Sequence, residues 1–185
     1  MNAVDLAAVV GDAAVRTGLR LRDDLRVPGW TFWELRTLNR HRVFGLLDEY
    51  RPFADVRDLE AEVRAAVSDS FKRAWWRGLA YGVVAEVEPL AWKPDELEPV
   101  IDIFENRKGV VQWLVLVAPD GRSAIGAHTW ESVFLSPVYR EVLAALTASG
   151  YQVTKAVKGK GGLWKLLTGV SELKGVSFPE FRDPP

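Results

Sequence analysis

The stretch VVQWLVLVAPDGRSAIGAHTW, residues 110–130, divides into two apolar runs around Pro119, Asp120 and Gly121. Proline presets one turn torsion, aspartate hydrogen-bonds the backbone ahead of it, and glycine tolerates the left-handed region. Such a triplet between apolar runs predicts a hairpin with strands Val110 to Ala118 and Arg122 to Trp130. The first run is apolar at both alternating sets of positions, which suits a central strand covered on both faces better than an edge strand.

Upstream, Leu79, Tyr81, Val83, Ala85 and Val87 alternate with smaller or charged neighbours, the pattern of a strand with one core face. Downstream, Ser136 and Pro137 supply a cap and a first helical residue, Val142, Leu143 and Leu146 recur at helical spacing, and Gly150 closes the turn. A helix over Val138 to Ala148 follows, and then a final strand over Tyr151 to Lys158. The segment Pro94 to Arg107 supports two readings. Its acidic start and its end at Arg107, Lys108 and Gly109 suit a helix, whereas Pro99 argues against one and leaves Val100 to Phe104 as a strand. With a helix there, the order is the strand, helix, strand, strand, helix, strand of ferredoxin-like domains. With a strand there, an antiparallel meander results, and the doubly apolar 110–118 run favours the meander.

The N-terminal third reads as three helices. The first runs from a cap at Asn2 to Thr17, with Leu6, Val9, Val10 and Ala13 on one stripe and Gly18 as its stop. The second opens with Thr31 and Glu34 as a reciprocal capping box, and Phe32, Leu35, Val43, Leu46, Leu47 and Tyr50 follow at helical spacing up to Pro52. The third starts near Asp55 and aligns Val56, Leu59, Val63, Ala66, Ser70 and Ala74. The same spacing describes a coiled-coil seam, so a homodimer is compatible with it.

The expected fold is therefore α+β: three N-terminal helices packed on an antiparallel sheet of four or five strands, with one further helix on the other face. Residues 1–177 form a single domain in this reading, helical over 1–77 and sheet-containing over 78–177, and residues 178–185 an extended tail.

Bulk properties exclude several function classes. A chain of 185 residues with 48% hydrophobic content has enough apolar surface for one core. Its formal net charge of -1 excludes a uniformly basic coat protein. The absence of cysteine removes thiolate metal sites, disulfides and cysteine nucleophiles. The first residues carry Asp5 and Asp12 without a basic leader, and no apolar run approaches the ~20 residues of a membrane span. A cytoplasmic protein without a cofactor is the expectation.

Four local features bear on chemistry. Lys155, Lys158, Lys160 and Lys165 interleave with Gly159, Gly161, Gly162 and Trp164. Glycine exposes backbone N–H groups, lysine adds a salt-screened attraction and tryptophan a stacking face, so this segment is the candidate anion or nucleic-acid site. It is not a P-loop, because Leu166 follows Lys165 where serine or threonine is required. Nor do Ala124 and Gly126 supply the stacking aromatics of an RNA-recognition sheet.

The second feature is His128 with Glu131 and Ser132, where a carboxylate near an imidazole suits general acid–base chemistry. His41, the other histidine, lies in the basic stretch Arg40 to Arg42. The third is the set Arg73, Trp75, Trp76 and Arg77 beside Lys72, a candidate interaction surface in a chain with eight tryptophans. The fourth is the acidic group Asp95, Glu96, Glu98, Asp102 and Glu105, which follows no metal-ligand spacing. The pairing of Asp95 with the Glu172-Leu173-Lys174 triplet, a nuclease-like reading, lacks both spacing and a strand. With no nucleophile, base and oxyanion set in view, the leading expectation is a non-catalytic binding or protein-interaction protein. Nucleic-acid or phosphate-ligand binding by the lysine and glycine segment is the alternative, and an acid–base enzyme centred on His128 the second alternative.

Overall fold

The computed structural model describes residues 5–36, 41–63, 65, 79–87, 98–105, 111–118, 122–129, 137–158 and 164–168. Helix α1 (Leu6–Arg16) leads to strands β1 (Arg20–Leu21), β2 (Trp30–Arg36) and β3 (His41–Arg51). A 3-10 helix (Phe53–Asp58) runs on helically through residue 63, and β4 (Leu79–Val87) and helix α2 (Glu98–Glu105) follow. Strands β5 (Val111–Ala118) and β6 (Ser123–Thr129), helix α3 (Pro137–Ala148), and strands β7 (Gln152–Lys158) and β8 (Trp164–Thr168) complete the order. All eight strands form one sheet in chain order.

The sheet is mixed. Strand β3 pairs in parallel with β4, β4 with β5, and β6 with β7, while the remaining neighbours are antiparallel. This sets the layers. Crossovers between parallel strands are right-handed, so the two steps from β3 to β5 place their helices on one face. Because β6 runs against β5 while the sheet continues in the same lateral direction, the β6-to-β7 crossover places α3 on the other face. The two cores agree. Phe53, Val56, Leu59 and Val63 join Val100 and Ile103 of α2 over Leu47, Val83, Leu114 and Ile125. On the opposite face, Leu6, Val10 and Ala13 of α1 join Val138, Val142 and Leu146 of α3 over Phe44, Val84, Val115 and Ala124.

The expected antiparallel sheet of four or five strands under three N-terminal helices is therefore corrected. The 1–77 part, expected to be helical, contributes β1, β2 and β3 to the same sheet as the strands of the 78–177 part. The second expected helix is the β2–β3 hairpin. Its apolar residues serve two faces at once, Phe32, Val43 and Leu47 on one and Trp33, Phe44 and Leu46 on the other. A doubly covered strand reads as a continuous apolar run in which helical spacings occur by accident. The Thr31 and Glu34 pair is no capping box: the Thr31 hydroxyl donates across the sheet to Asp48 Oδ2 at 3.0 Å, and Glu34 accepts from Arg22 at 2.7 Å.

The first helix is present, capped by the Asp5 carboxylate accepting from Ala8 N at 3.1 Å, and Asn2 lies outside the described residues. Of the third, Val56, Leu59 and Val63 are buried as the spacing requires, and Ala66, Ser70 and Ala74 lie outside the described residues. The hairpin read from 110–130 forms with Ala118 opposite Ser123, and Arg122 closes it at φ 46. Strand β5 is central, and α3 opens at Pro137 with Gly150 at φ 85 after it.

The segment 94–107 contains α2, contrary to the favoured strand, because Pro99 falls in the first turn where its missing N–H has no intrahelical partner. The ferredoxin-like element order is thus present from β4 to β7, but its strands pair in sequence and its two helices lie on opposite faces. Strand β8 adds to the sheet a strand that the sequence reading does not contain. Among the described residues, no helix is long and apolar enough to cross a membrane.

Candidate functional site

Pairing register aligns one residue from each strand into a transverse row: Leu21, Trp33, Phe44, Gly82, Trp113, His128, Val157 and Lys165. Its middle is filled with rings. Trp33 stacks on Phe44 at 4.9 Å, Phe44 meets Trp113 at 5.4 Å, and Trp113 meets Tyr139 of α3 at 5.6 Å. A register shift between β4 and β5 at Gln112 brings Trp113 onto the α1–α3 face. Gly82 makes the fit possible, since a Cβ there would sit 2.0 Å from the Trp113 ring.

His128 belongs to this row. It is 6% exposed, and its ring lies edge-on to Tyr139 with centroids 5.2 Å apart. Tyr139 is itself buried against β6, its hydroxyl 2.6 Å from where a Gly126 Cβ would stand. That hydroxyl has no hydrogen-bond partner among the described residues. Burial pushes its pKa well above the ordinary phenol range, because the tyrosinate cannot be solvated there. The expected partner of His128, Glu131, lies outside the described residues, as does Ser132. Among the described residues, Tyr139 packs edge-on against the imidazole.

Two guanidinium groups are matched internally. Arg22 donates through Nε and Nη2 to both Asp24 oxygens at 2.7 Å and through Nη1 to Glu34 at 2.7 Å. Asp24 and Glu34 hold its pKa above the usual arginine value. Arg51 pairs with Glu62 and lies 4.0 Å from Glu49, its pKa raised chiefly by the Glu62 hydrogen bond. Such matched groups orient loops and have little left to offer an external anion.

Strands β7 and β8 make a hairpin at the end of the sheet, with Lys158 opposite Trp164, Val157 opposite Lys165 and Lys155 opposite Leu167. Lys155 is exposed and makes no ion pair among the described residues. Strand alternation sets the Lys155 and Lys165 positions on one face and the Lys158 and Trp164 positions on the other. Four of the five expected positions are therefore divided between two faces, and Lys160 lies outside the described residues.

Residues 142–171 contain Lys155, Lys158, Lys160 and Lys165 and no aspartate or glutamate, in a chain whose net charge is -1. This charge asymmetry was available from the sequence. The candidate surface Arg73, Trp75, Trp76 and Arg77 lies outside the described residues. Also among the described residues, no group of three or more His, Cys, Asp and Glu side chains is placed to hold a metal ion. No protein family, curated protein or solved structure matches the chain.

Proposed function

We propose that this chain is a non-catalytic binding protein that meets an anionic partner at the β7–β8 end of its sheet. One observation carries the reading: four lysines unrelieved by any carboxylate over residues 142–171, of which Lys155, Lys158 and Lys165 stand on the two strands that end the described sheet. Elsewhere the chain carries an excess of acid, so the positive charge is local to this segment. A concentrated patch of one sign steers a partner of the other sign and raises the rate of encounter. The internal pairing of Arg22 with Asp24 and Glu34 and of Arg51 with Glu62 favours the same reading, since both groups are engaged within the fold.

The test is fluorescence anisotropy with labelled single-stranded and duplex nucleic acids and a labelled acidic peptide, at low and high salt. The comparison protein carries Lys155→Ala, Lys158→Ala, Lys160→Ala and Lys165→Ala together. Binding by at least one polyanion, lost at high salt and in the quadruple variant, is the expected result. Absence of binding to every polyanion at low salt overturns the proposal.

A further inference from the structure

We infer that the anionic partner is a single strand of nucleic acid that crosses one end of the sheet, from the β7–β8 side to the β2–β3 side; the inference rests on the binding role proposed above. Strand direction fixes what meets at that end. Strands β3, β4 and β5 start there, β2 and β6 run against their neighbours and finish there, β7 follows β6, and β8 starts beside the end of β7. The register agrees: Arg36 stands opposite His41, His41 beside Leu79, Thr129 beside Lys158, and Lys158 opposite Trp164.

The charge outside residues 142–171 is not spread evenly but divides along the strand axis. At this end the strand positions themselves include Arg36, His41, Arg42, Lys158 and Lys165. Glu34, two residues inward from Arg36, is held by Arg22. Connecting sequence within four residues of the strand ends adds Arg16, Arg40, Arg77, Arg107, Lys108 and Lys160, against Glu131 alone. All of these but Arg16 lie outside the described residues and are tied to this end by four residues of chain or fewer. At the opposite end Asp48, Glu49 and Glu86 stand near the finish of β3 and β4. There the same span of connecting sequence carries Asp23, Asp24, Asp55, Glu88, Asp120 and Glu172, against Arg22, Arg26 and Arg122. A chain of almost no net charge thus has one basic end, which attracts a polyanion and orients it.

Aromatic residues select the kind of polyanion. Trp164 opens β8, Trp130 follows the last residue of β6, and Trp75 and Trp76 precede β4 by four and three residues. Half of the chain's eight tryptophans therefore belong to this end in sequence, whereas Trp33 and Trp113 are buried in the α1–α3 core. A single strand offers bases that stack on such rings and phosphates that meet the cations between them. A duplex keeps its bases stacked on each other, and an acidic peptide gains nothing specific from the rings. From β3 to β7 is four strand spacings, about 19 Å, a width that a single strand of several nucleotides covers.

The experiment uses the whole chain and labelled oligo-deoxythymidine of about 12 nucleotides, with a duplex of equal length and an acidic peptide beside it. The variants are Arg36→Ala/Arg42→Ala on the β2–β3 side, Lys158→Ala/Lys165→Ala on the β7–β8 side, and Arg26→Ala/Arg122→Gly, which removes equal charge at the opposite end. Each of the first two weakens binding about tenfold and lowers the slope of affinity against salt by about one; the third changes neither. Arg36→Lys/Arg42→Lys keeps the parent slope, a result that a damaged fold cannot give. The duplex binds about tenfold or more weakly than the single strand. If Arg36→Ala/Arg42→Ala binds as the parent does while the lysine variant does not, the crossing is overturned and the binding role stands. The same holds if the duplex or the acidic peptide binds as tightly as the single strand, or if the opposite-end variant loses as much. If no polyanion binds, both fall.

Discussion

The transverse row that crosses the sheet is made of two unlike halves. Between β3 and β6 it reads Phe44, Gly82, Trp113 and His128, and beyond β6 it continues as Val157 and Lys165. In the first half each position is determined by its neighbours: a large ring crosses a strand because the residue beneath it has no side chain. In the second half the row ends in a charge at the margin of the sheet. The contrast teaches where change is tolerated. A site that is free to meet a partner is built where packing makes the fewest demands, and the rings of the interior set the frame on which it stands.

The strongest way to break the contrast is Gly82→Ala. The new Cβ would stand 2.0 Å from Trp113, so the indole must leave its place between Phe44 and Tyr139. Trp113 is 3% exposed, and the expected cost is about 3 kcal/mol or more, measured by urea unfolding. If the cause is this clash, Trp113→Ala combined with Gly82→Ala costs less than the two single changes added together. Additive costs would show that Gly82 acts through the backbone alone.

A smaller effect sharpens the same point at β6. Gly126→Ala brings a Cβ to 2.6 Å from the Tyr139 hydroxyl and 2.9 Å from a Leu143 methyl, with an expected loss of about 1–3 kcal/mol. Tyr139→Phe removes an unpartnered buried hydroxyl and leaves the ring, so stability is unchanged or gains up to about 1 kcal/mol. The pH dependence has a definite sign. Because burial raises the Tyr139 pKa in the fold, its contribution is complete below the unfolded phenol value near 10 and declines as pH rises above it. Alkaline unfolding of Tyr139→Phe begins at higher pH than that of the parent chain. Identical alkaline curves for the two would remove Tyr139 from this account.

Legibility in the sequence follows the same division. The β5–β6 hairpin and α3 are legible because their ends carry local chemistry: Pro119 to Gly121 for one, Pro137 and Gly150 for the other. Strands β2 and β3 are not, because burial on both faces erases the period of two that identifies a strand, and Trp33 and Phe44 look like additions to a helical stripe. Parallel pairing is not legible either, since the alternation within β4 or β7 is the same whichever way its neighbour runs. The lysines of the candidate site were evident. Their division between two faces was not, because it depends on β8, whose short run after Gly159 to Gly162 resembles the end of a loop. Nothing local in the sequence marks His128 as a ring in a row, because Trp113 stands opposite it on another strand and Tyr139 packs against it from a helix.

The smallest expected effect is the most discriminating. Lys155→Ala with Lys165→Ala leaves urea stability within about 0.5 kcal/mol of the parent, as surface changes away from packed features do. Lys155 is exposed at the end of the sheet, so its loss opens no cavity and strands no buried charge. The net charge moves from -1 further toward the acidic side, which slightly increases general repulsion without touching the core. A stability loss comparable to that of Gly126→Ala would mean that these lysines hold the hairpin onto the sheet, and any change in binding would then be a consequence of folding. An unchanged unfolding curve, with polyanion binding reduced, separates the margin of the row from its middle and assigns the lysines to recognition.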